Sequence, residues 1–165
     1  MTVARMDPEQ ARAWIALVST AHILPVVLDE QLSADAGLTH FEYGILDALG
    51  RAKEHTLRMG ELAVAVESNA PRLSKAVSRL ERRGFVERVA CPGDGRAVNI
   101  HLTQEGRRVW LTATPSHIEL ARDAILGGLT SEQLAALTSA LEPLVVRLGA
   151  LVGNVGASKS GEQTV

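Results

Sequence analysis

Apolar residues recur along most of this chain at three- and four-residue steps, the spacing of one face of a helix. Trp14, Ile15, Val18, Ala21, Leu28 and Leu32 form one such stripe. Asp7 as N-cap, Pro8 at the first helical position and Gln10 at the third predict where this helix starts, and Gly37 predicts its end. Pro25 removes one backbone hydrogen bond and predicts a kink. Thr39 and Glu42 make a capping box for a second helix to Leu49, with Phe41, Ile45, Leu46 and Leu49 apolar. Residues 50–56 read as a polar connector. Residues 59–66 read as a short third helix whose Leu62, Ala63 and Val66 should face Leu73 and Val77. Ser68 is the expected N-cap of a fourth helix, with Pro71 in its first turn and Gly84 as its stop.

The period then changes. Residues 85–89 read as a strand, 91–96 as a turn, and 97–102 as a return strand in which Val98, Ile100 and Leu102 alternate with Asn99 and His101. Thr103 caps a fifth helix carrying Val109, Trp110, Leu111, Ile118, Leu120 and Ile125, with a bend expected near residue 112 from Pro115. Gly127 and Gly128 break it. Thr130 and Gln133 cap a last helix whose Leu134, Leu137, Leu141, Leu144, Val145, Leu148 and Leu151 form a heptad-like seam interrupted at Pro143. Residues 153–165 are small and polar and predict a disordered tail.

Composition agrees with a helical fold. At 165 residues the chain makes one domain, or one module with an accessory lobe; its apolar residues, 46%, suffice for a core, and aromatics are scarce at 3%. No uninterrupted apolar run reaches the length of a membrane span and no leader pattern opens the chain, so a cytoplasmic protein without a membrane partner is expected. One cysteine excludes an internal disulfide framework.

Charge sharpens the picture. The net charge is only −2, yet residues 71–108 carry +5 and the remainder −7. On the fourth helix Arg72, Lys75, Arg79 and Arg82 share one face, while Leu73, Val77 and Leu80 make an apolar stripe rotated from it. A basic helix followed by a basic-tipped hairpin is the outline of a winged helix-turn-helix, which lays a helix in the DNA major groove. The expected fold class is therefore mainly α, a winged helix-turn-helix with a small β-hairpin wing flanked by N- and C-terminal dimerisation helices. Residues 1–36 and 104–152 form the dimerisation region and 37–103 the DNA-binding region. The terminal helices carry more apolar surface than a lobe of this size needs, and a two-fold dimer buries it; a monomeric helical bundle is the alternative.

Residues 57–63, 73–88, 91–96 and 102–106 resemble the MarR family of bacterial transcription regulators. The run Arg79-Leu80-Glu81, Arg83-Gly84-Phe85-Val86-Glu87-Arg88, then Asp94 and Arg96, then Leu102-Thr103 and Glu105-Gly106 carries the resemblance. It implies a homodimer on a short palindromic operator in double-stranded DNA. Such a dimer usually represses, and is often relieved by a small phenolic or lipophilic anion or by thiol oxidation. Arg72, Ser74 and Lys75 fall where the family's recognition helix meets bases and phosphates, and Arg79 where it meets phosphate or packs. Arg96 matches the arginine of the wing that enters the minor groove, and Asp94 the acid that pairs with it. Ser68, Asn69 and Pro71 open the same helix; at Asn69-Ala70-Pro71 the family more often places polar residues, and Ala70 and Pro71 offer only apolar contact with thymine methyls.

Other chemistry has less support. No G-x-S-x-G, Walker, H-E-x-x-H or dinucleotide pattern occurs, so no enzyme, cofactor or metal is expected; His117 and Glu119 are too close to chelate on a helix. Cys91 beside Arg88 leaves a thiol-oxidation sensor open as an alternative, and a winged helix used only for protein contacts is another. Trp14, His22, His40, Arg58 and His117, with Arg122, are the candidates for an effector pocket between the helical lobe and the winged helix, although Trp14 is expected to pack in the core.

Overall fold

A computed structural model describes the backbone of residues 5–91 and 94–160 and the side chains of residues 5–90 and 98–151. The first helix, α1 (Pro8–Ala36), starts at Asp7, whose side chain accepts from the N–H groups of Glu9 and Gln10 while Gln10 returns the bond. It ends at Gly37, which takes a left-handed φ of 63° that costs a residue without Cβ nothing. The second, α2 (His40–Arg51), begins at the expected capping box of Thr39 and Glu42. A single 3₁₀ turn, Lys53–His55, leads into β1 (Thr56–Arg58), and α3 (Met59–Ala65) and α4 (Ala70–Arg82) follow. Spacing alone puts Thr56 at the end of a polar connector and assigns residues 57 and 58 to no element. Three residues are too short to show alternation, and the strand exists because Thr56, Leu57 and Arg58 pair with His101, Ile100 and Asn99.

The hairpin is longer than expected. Strands β2 (Val86–Cys91) and β3 (Asp94–Leu102) pair antiparallel from Val86 opposite Leu102 to Ala90 opposite Val98, then shift register so that Cys91 lies opposite Asp94; the strands thus reach into residues 91–96 from both sides of the expected turn. The sheet order is β1-β3-β2. Ile100 and Leu102 are buried, as alternation predicts, but Val98 lies farther out along the wing and is exposed.

Helix α5 (Gln104–Glu119) starts at Thr103, whose hydroxyl accepts from the Gly106 N–H at 3.0 Å. A Cβ on Gly106 would lie 2.0 Å from the Phe85 carbonyl oxygen, so its absence lets α5 leave the sheet in close contact with it. The helix continues through Pro115, and its irregularity falls later, in a π turn at Leu120–Ile125. Helix α6 (Ser131–Ser160) opens on the expected Thr130–Gln133 box and runs eight residues past the predicted end at Val152. The glycines that suggest a tail, Gly153 and Gly156, each cost a helix only about 1 kcal/mol. Residues 161–165 lie outside the described residues.

One apolar cluster organises all of this. Leu32, Leu38, Ile45, Leu46, Leu49, Leu62, Leu73, Val77, Leu80 and Ile100 are fully buried within it, drawn from α1, the α1–α2 connection, α2, α3, α4 and β3. Leu62, Leu73 and Val77 share this cluster, as their spacing predicts. The terminal helices contribute little. In α1 the buried residues are Leu28 and Leu32, and Trp14, expected in the core, is 53% exposed. Helix α6 leaves Val145, Val146, Leu148 and Leu151 exposed. Averaged over 18-residue windows, Pro8–Ala36 and Ser131–Leu151 reach mean hydropathies of 1.6 and 1.5, long and apolar enough by length and composition to cross a membrane. What this changes is the reading of run length alone, because isolated polar residues such as Thr20 and His22 break a run without lowering its average much.

Candidate nucleic-acid interface

The helix expected to read DNA is built by its own sequence and then held by its neighbours. Its N-cap is Asn69 rather than Ser68. The Asn69 side-chain oxygen accepts from the Arg72 N–H at 2.9 Å, and Ser68 instead donates its hydroxyl to the Asn69 carbonyl at 3.3 Å. Ala70 is already helical, so Ser68 stands one residue too early to cap. Glu67, at a left-handed φ of 47°, turns the chain from α3 into α4. Leu73, Ala76, Val77 and Leu80 bury one side of α4, which leaves Asn69, Pro71, Arg72, Ser74, Lys75, Arg79 and Arg82 on the accessible side. The amphipathic split read from spacing is thus the arrangement present, and Ser74, Lys75, Ser78, Arg79 and Arg82 line a shallow groove along it.

Two of these cations are anchored as well as accessible. The Arg72 guanidinium carbon lies 4.1 Å from the centre of the Phe41 ring, a cation–π contact. Arg79 Nε donates to Glu42 Oε1 at 2.8 Å, with side-chain exposures of 45% for Arg79 and 6% for Glu42. Burial pushes the Glu42 carboxyl up, but the hydrogen bonds from Arg79 and Thr39 outweigh it and hold the group below its ordinary range. Residues 42 and 79 are too far apart in sequence for any spacing rule to pair them. The sequence signal at Glu42 is its capping box, which explains one carboxylate oxygen and not the other.

The wing is joined to α4 by Arg88 of β2. One terminal nitrogen of Arg88 pairs with Glu81, and the other donates to the Ser78 hydroxyl at 3.1 Å. The backbone of Asp94 and Arg96 lies in β3, toward the wing tip. Their side chains, the expected pairing between them, and the thiol of Cys91 lie outside the described residues.

The effector-pocket candidates separate. His40 and His117 come together, with ring centroids 5.6 Å apart, and the Tyr43 ring packs on His117 at 4.4 Å with a tilt of 51°. The His117 ring bonds Gln31 of α1 at 3.1 Å, so this cluster joins α1, α2 and α5. Burial pulls both histidines below their ordinary pKa. Each is partly compensated by an acid, Asp29 for His40 and Asp47 for His117, while His40 further depresses His117. Trp14 and His22 are exposed on α1, Arg58 is exposed where β1 enters α3, and Arg122 pairs with Asp123. A cleft of about 870 Å³ lies between the α1–α2 side, with Asp29, His40 and Arg51, and α4, with Arg72, Lys75 and Arg79. Of Trp14, His22, His40, Arg58 and His117, it is His40 that lines this cleft. Asp29 and Arg51 line it too, and neither stands in a motif that sequence reasoning could single out. Among the described residues, no group of three or more His, Cys, Asp or Glu could hold a metal ion.

Comparison with known proteins places this arrangement. The sequence model of the MarR family matches residues 36–97. The HTH-type transcriptional regulator PecS of Dickeya dadantii is 32% identical over 101 residues, a match that spans 61% of this chain and 60% of PecS. Sco3205 of Streptomyces coelicolor, a MarR family transcriptional regulator solved in complex with DNA, superposes with a TM-score of 0.82 at 36% identity, over 87% of this chain and 89% of that one. AbsC of the same organism, also a MarR family transcriptional regulator, superposes with a TM-score of 0.81 at 31% identity, over 89% and 98%. The chain belongs to the MarR family.

Proposed function

We propose that this MarR-family chain is a DNA-binding transcriptional regulator that acts as a homodimer on a two-fold operator, with α4 as the recognition helix. The observation that carries this reading is the accessible row Arg72, Ser74, Lys75 and Arg79 on a helix whose opposite side is fully buried. Arg72 supplies paired donors to a guanine edge or a phosphate, Lys75 supplies a point charge, and Ser68, Asn69 and Pro71 set the approach of the helix N-terminus. Arg96, with Asp94 as its expected partner, is the wing residue assigned to the minor groove by the family resemblance. Sco3205, solved with DNA, supports the reading at 36% identity.

The homodimer is supported by the exposed apolar residues of α1 and α6, which a second copy would cover. Residues 1–36 and 104–152 supply that contact and 37–103 the DNA contact. Repression is the expected direction of control. An aromatic or anionic effector is accommodated by the cleft beside α4, where Arg51 and the α4 cations face His40 and Phe41. Nothing in the reading requires catalytic chemistry, and it puts the chain in the cytoplasm with the DNA.

Binding to a fluorescently labelled random-sequence duplex over about 50–200 mM salt tests the core of this reading. The expected result is affinity that falls steeply and linearly on logarithmic axes, with a slope of about 0.9 per phosphate neutralised. Affinity independent of salt, or no binding, would favour a winged helix used for protein contacts instead.

A further inference from the structure

Three arginines along α4 and its C-terminal cap are each held by the corner between α1 and α2. Arg83 donates to the carbonyls of Gly37 and Ala36 at 2.8 and 3.3 Å, Arg79 donates to Glu42, and Arg72 lies over Phe41. The middle contact is chemically unlike its neighbours because it uses a buried charge. Among the described residues Glu42 is the buried charged side chain, at 5% exposure. Both its oxygens are engaged, Oε2 accepting from the Thr39 N–H at 3.1 Å and Oε1 from Arg79 Nε at 2.8 Å.

A guanidinium carries five N–H donors, and the bond to Glu42 uses the one on Nε. The four on the terminal nitrogens belong to a side chain that is nearly half exposed and lines the groove with Ser74, Lys75, Ser78 and Arg82. An arginine held at Nε has already lost much of the rotamer freedom that a phosphate contact would otherwise remove. A buried carboxylate behind it also shields the charge-assisted bond from solvent, so the guanidinium plane is fixed.

We propose that Glu42 is a positioning residue for DNA recognition: through Nε it fixes Arg79 so that the terminal nitrogens of Arg79 meet a backbone phosphate beside the recognition helix. The proposal rests on the DNA-binding reading and adds to it a residue that never touches DNA. It also assigns the corner at residues 36–42 a task besides joining two helices, since this corner sets the pose of the cations on α4.

Glu42→Gln separates the two duties of the carboxylate. Glutamine serves equally at the third position of a capping box, so the start of α2 is retained, but it cannot supply the anionic acceptor that Arg79 needs. Wild type, Glu42→Gln, Arg79→Met and the double variant are titrated with the labelled random-sequence duplex across salt, after melting curves establish that each is folded. Glu42→Gln should weaken binding about 5- to 10-fold and lower the salt slope by about 0.9, one phosphate. In the Arg79→Met background it should change neither. A purely structural Glu42 would lower the melting temperature in both backgrounds while leaving the slope alone, and that pattern counts against the proposal. The proposal is overturned if Glu42→Gln binds as well as wild type or tighter, or weakens binding equally with and without Arg79. Absence of salt-dependent binding by the wild type would overturn both this proposal and the reading beneath it; wild-type binding with an unaffected variant overturns this one alone.

Discussion

The winged-helix body and the terminal helices are both rich in apolar residues but dispose of them in opposite ways. In the body Leu38, Ile45, Leu46, Leu49, Leu62, Leu73, Val77, Leu80 and Ile100 are essentially inaccessible, and the outer side of α4 is polar or cationic. In α1 and α6, Trp14, Ile15, Ile23, Leu141, Val145, Leu148 and Leu151 are exposed by a third to two thirds. The first region is satisfied by its own chain. The second leaves apolar surface exposed, which the proposed second copy would cover. In the proposed dimer the body shapes one reader, and the terminal helices set the distance to another.

The sharpest way to break this contrast is to change one leucine in each region. Leu80→Ala leaves a cavity in the body and should cost about 2–5 kcal/mol in urea unfolding. Leu148→Asp should leave the body's packing intact and instead raise the dimer dissociation constant by about 100-fold, read by sedimentation equilibrium. If the Leu148→Asp variant stayed dimeric at the wild-type concentration dependence, the α6 seam would cover something other than its copy. A smaller effect sits at the junction of the two regions, where His40 and His117 are both held below the ordinary pKa of 6.5. A histidine whose folded pKa is depressed is protonated more readily in the unfolded chain. Its contribution is therefore fully present above 6.5 and is lost as pH falls through the window between that value and the folded pKa. The melting temperature should drop modestly from about pH 7 to about pH 5, and the His40→Asn, His117→Asn variant should show a flatter profile. An unchanged profile in that variant would remove the junction from the account.

Local rules carry most of the fold. The caps at Asp7, Thr39, Thr103 and Thr130 are legible because each is a contact between residues two or three apart, and all four form. The cap of α4 falls one residue from its expected place because Ser68 and Asn69 are adjacent and both able to cap, and only the position of Ala70 decides between them. Strand β1 is illegible because its existence depends on β3, about 45 residues away in the chain. The basic face of α4 can be read from spacing, but what holds it cannot. Glu42 with Arg79, Phe41 with Arg72, and His40 with His117 are tertiary pairings that periodicity does not encode. Trp14 departs from expectation for a different reason: a large aromatic usually packs, and here it stands 53% exposed on α1, among the apolar residues that the proposed second copy would cover.

The central claim is that the terminal helices hold two copies of α4 at a spacing that matches the DNA major groove. A hydroxyl-radical footprint on duplexes selected by this protein from a random pool tests it most directly. The account predicts two protected segments related by two-fold symmetry, with centres about one helical turn, roughly 10–10.5 base pairs, or a multiple of it apart. A single protected segment, or two at a spacing that is no multiple of the helical turn, would contradict it.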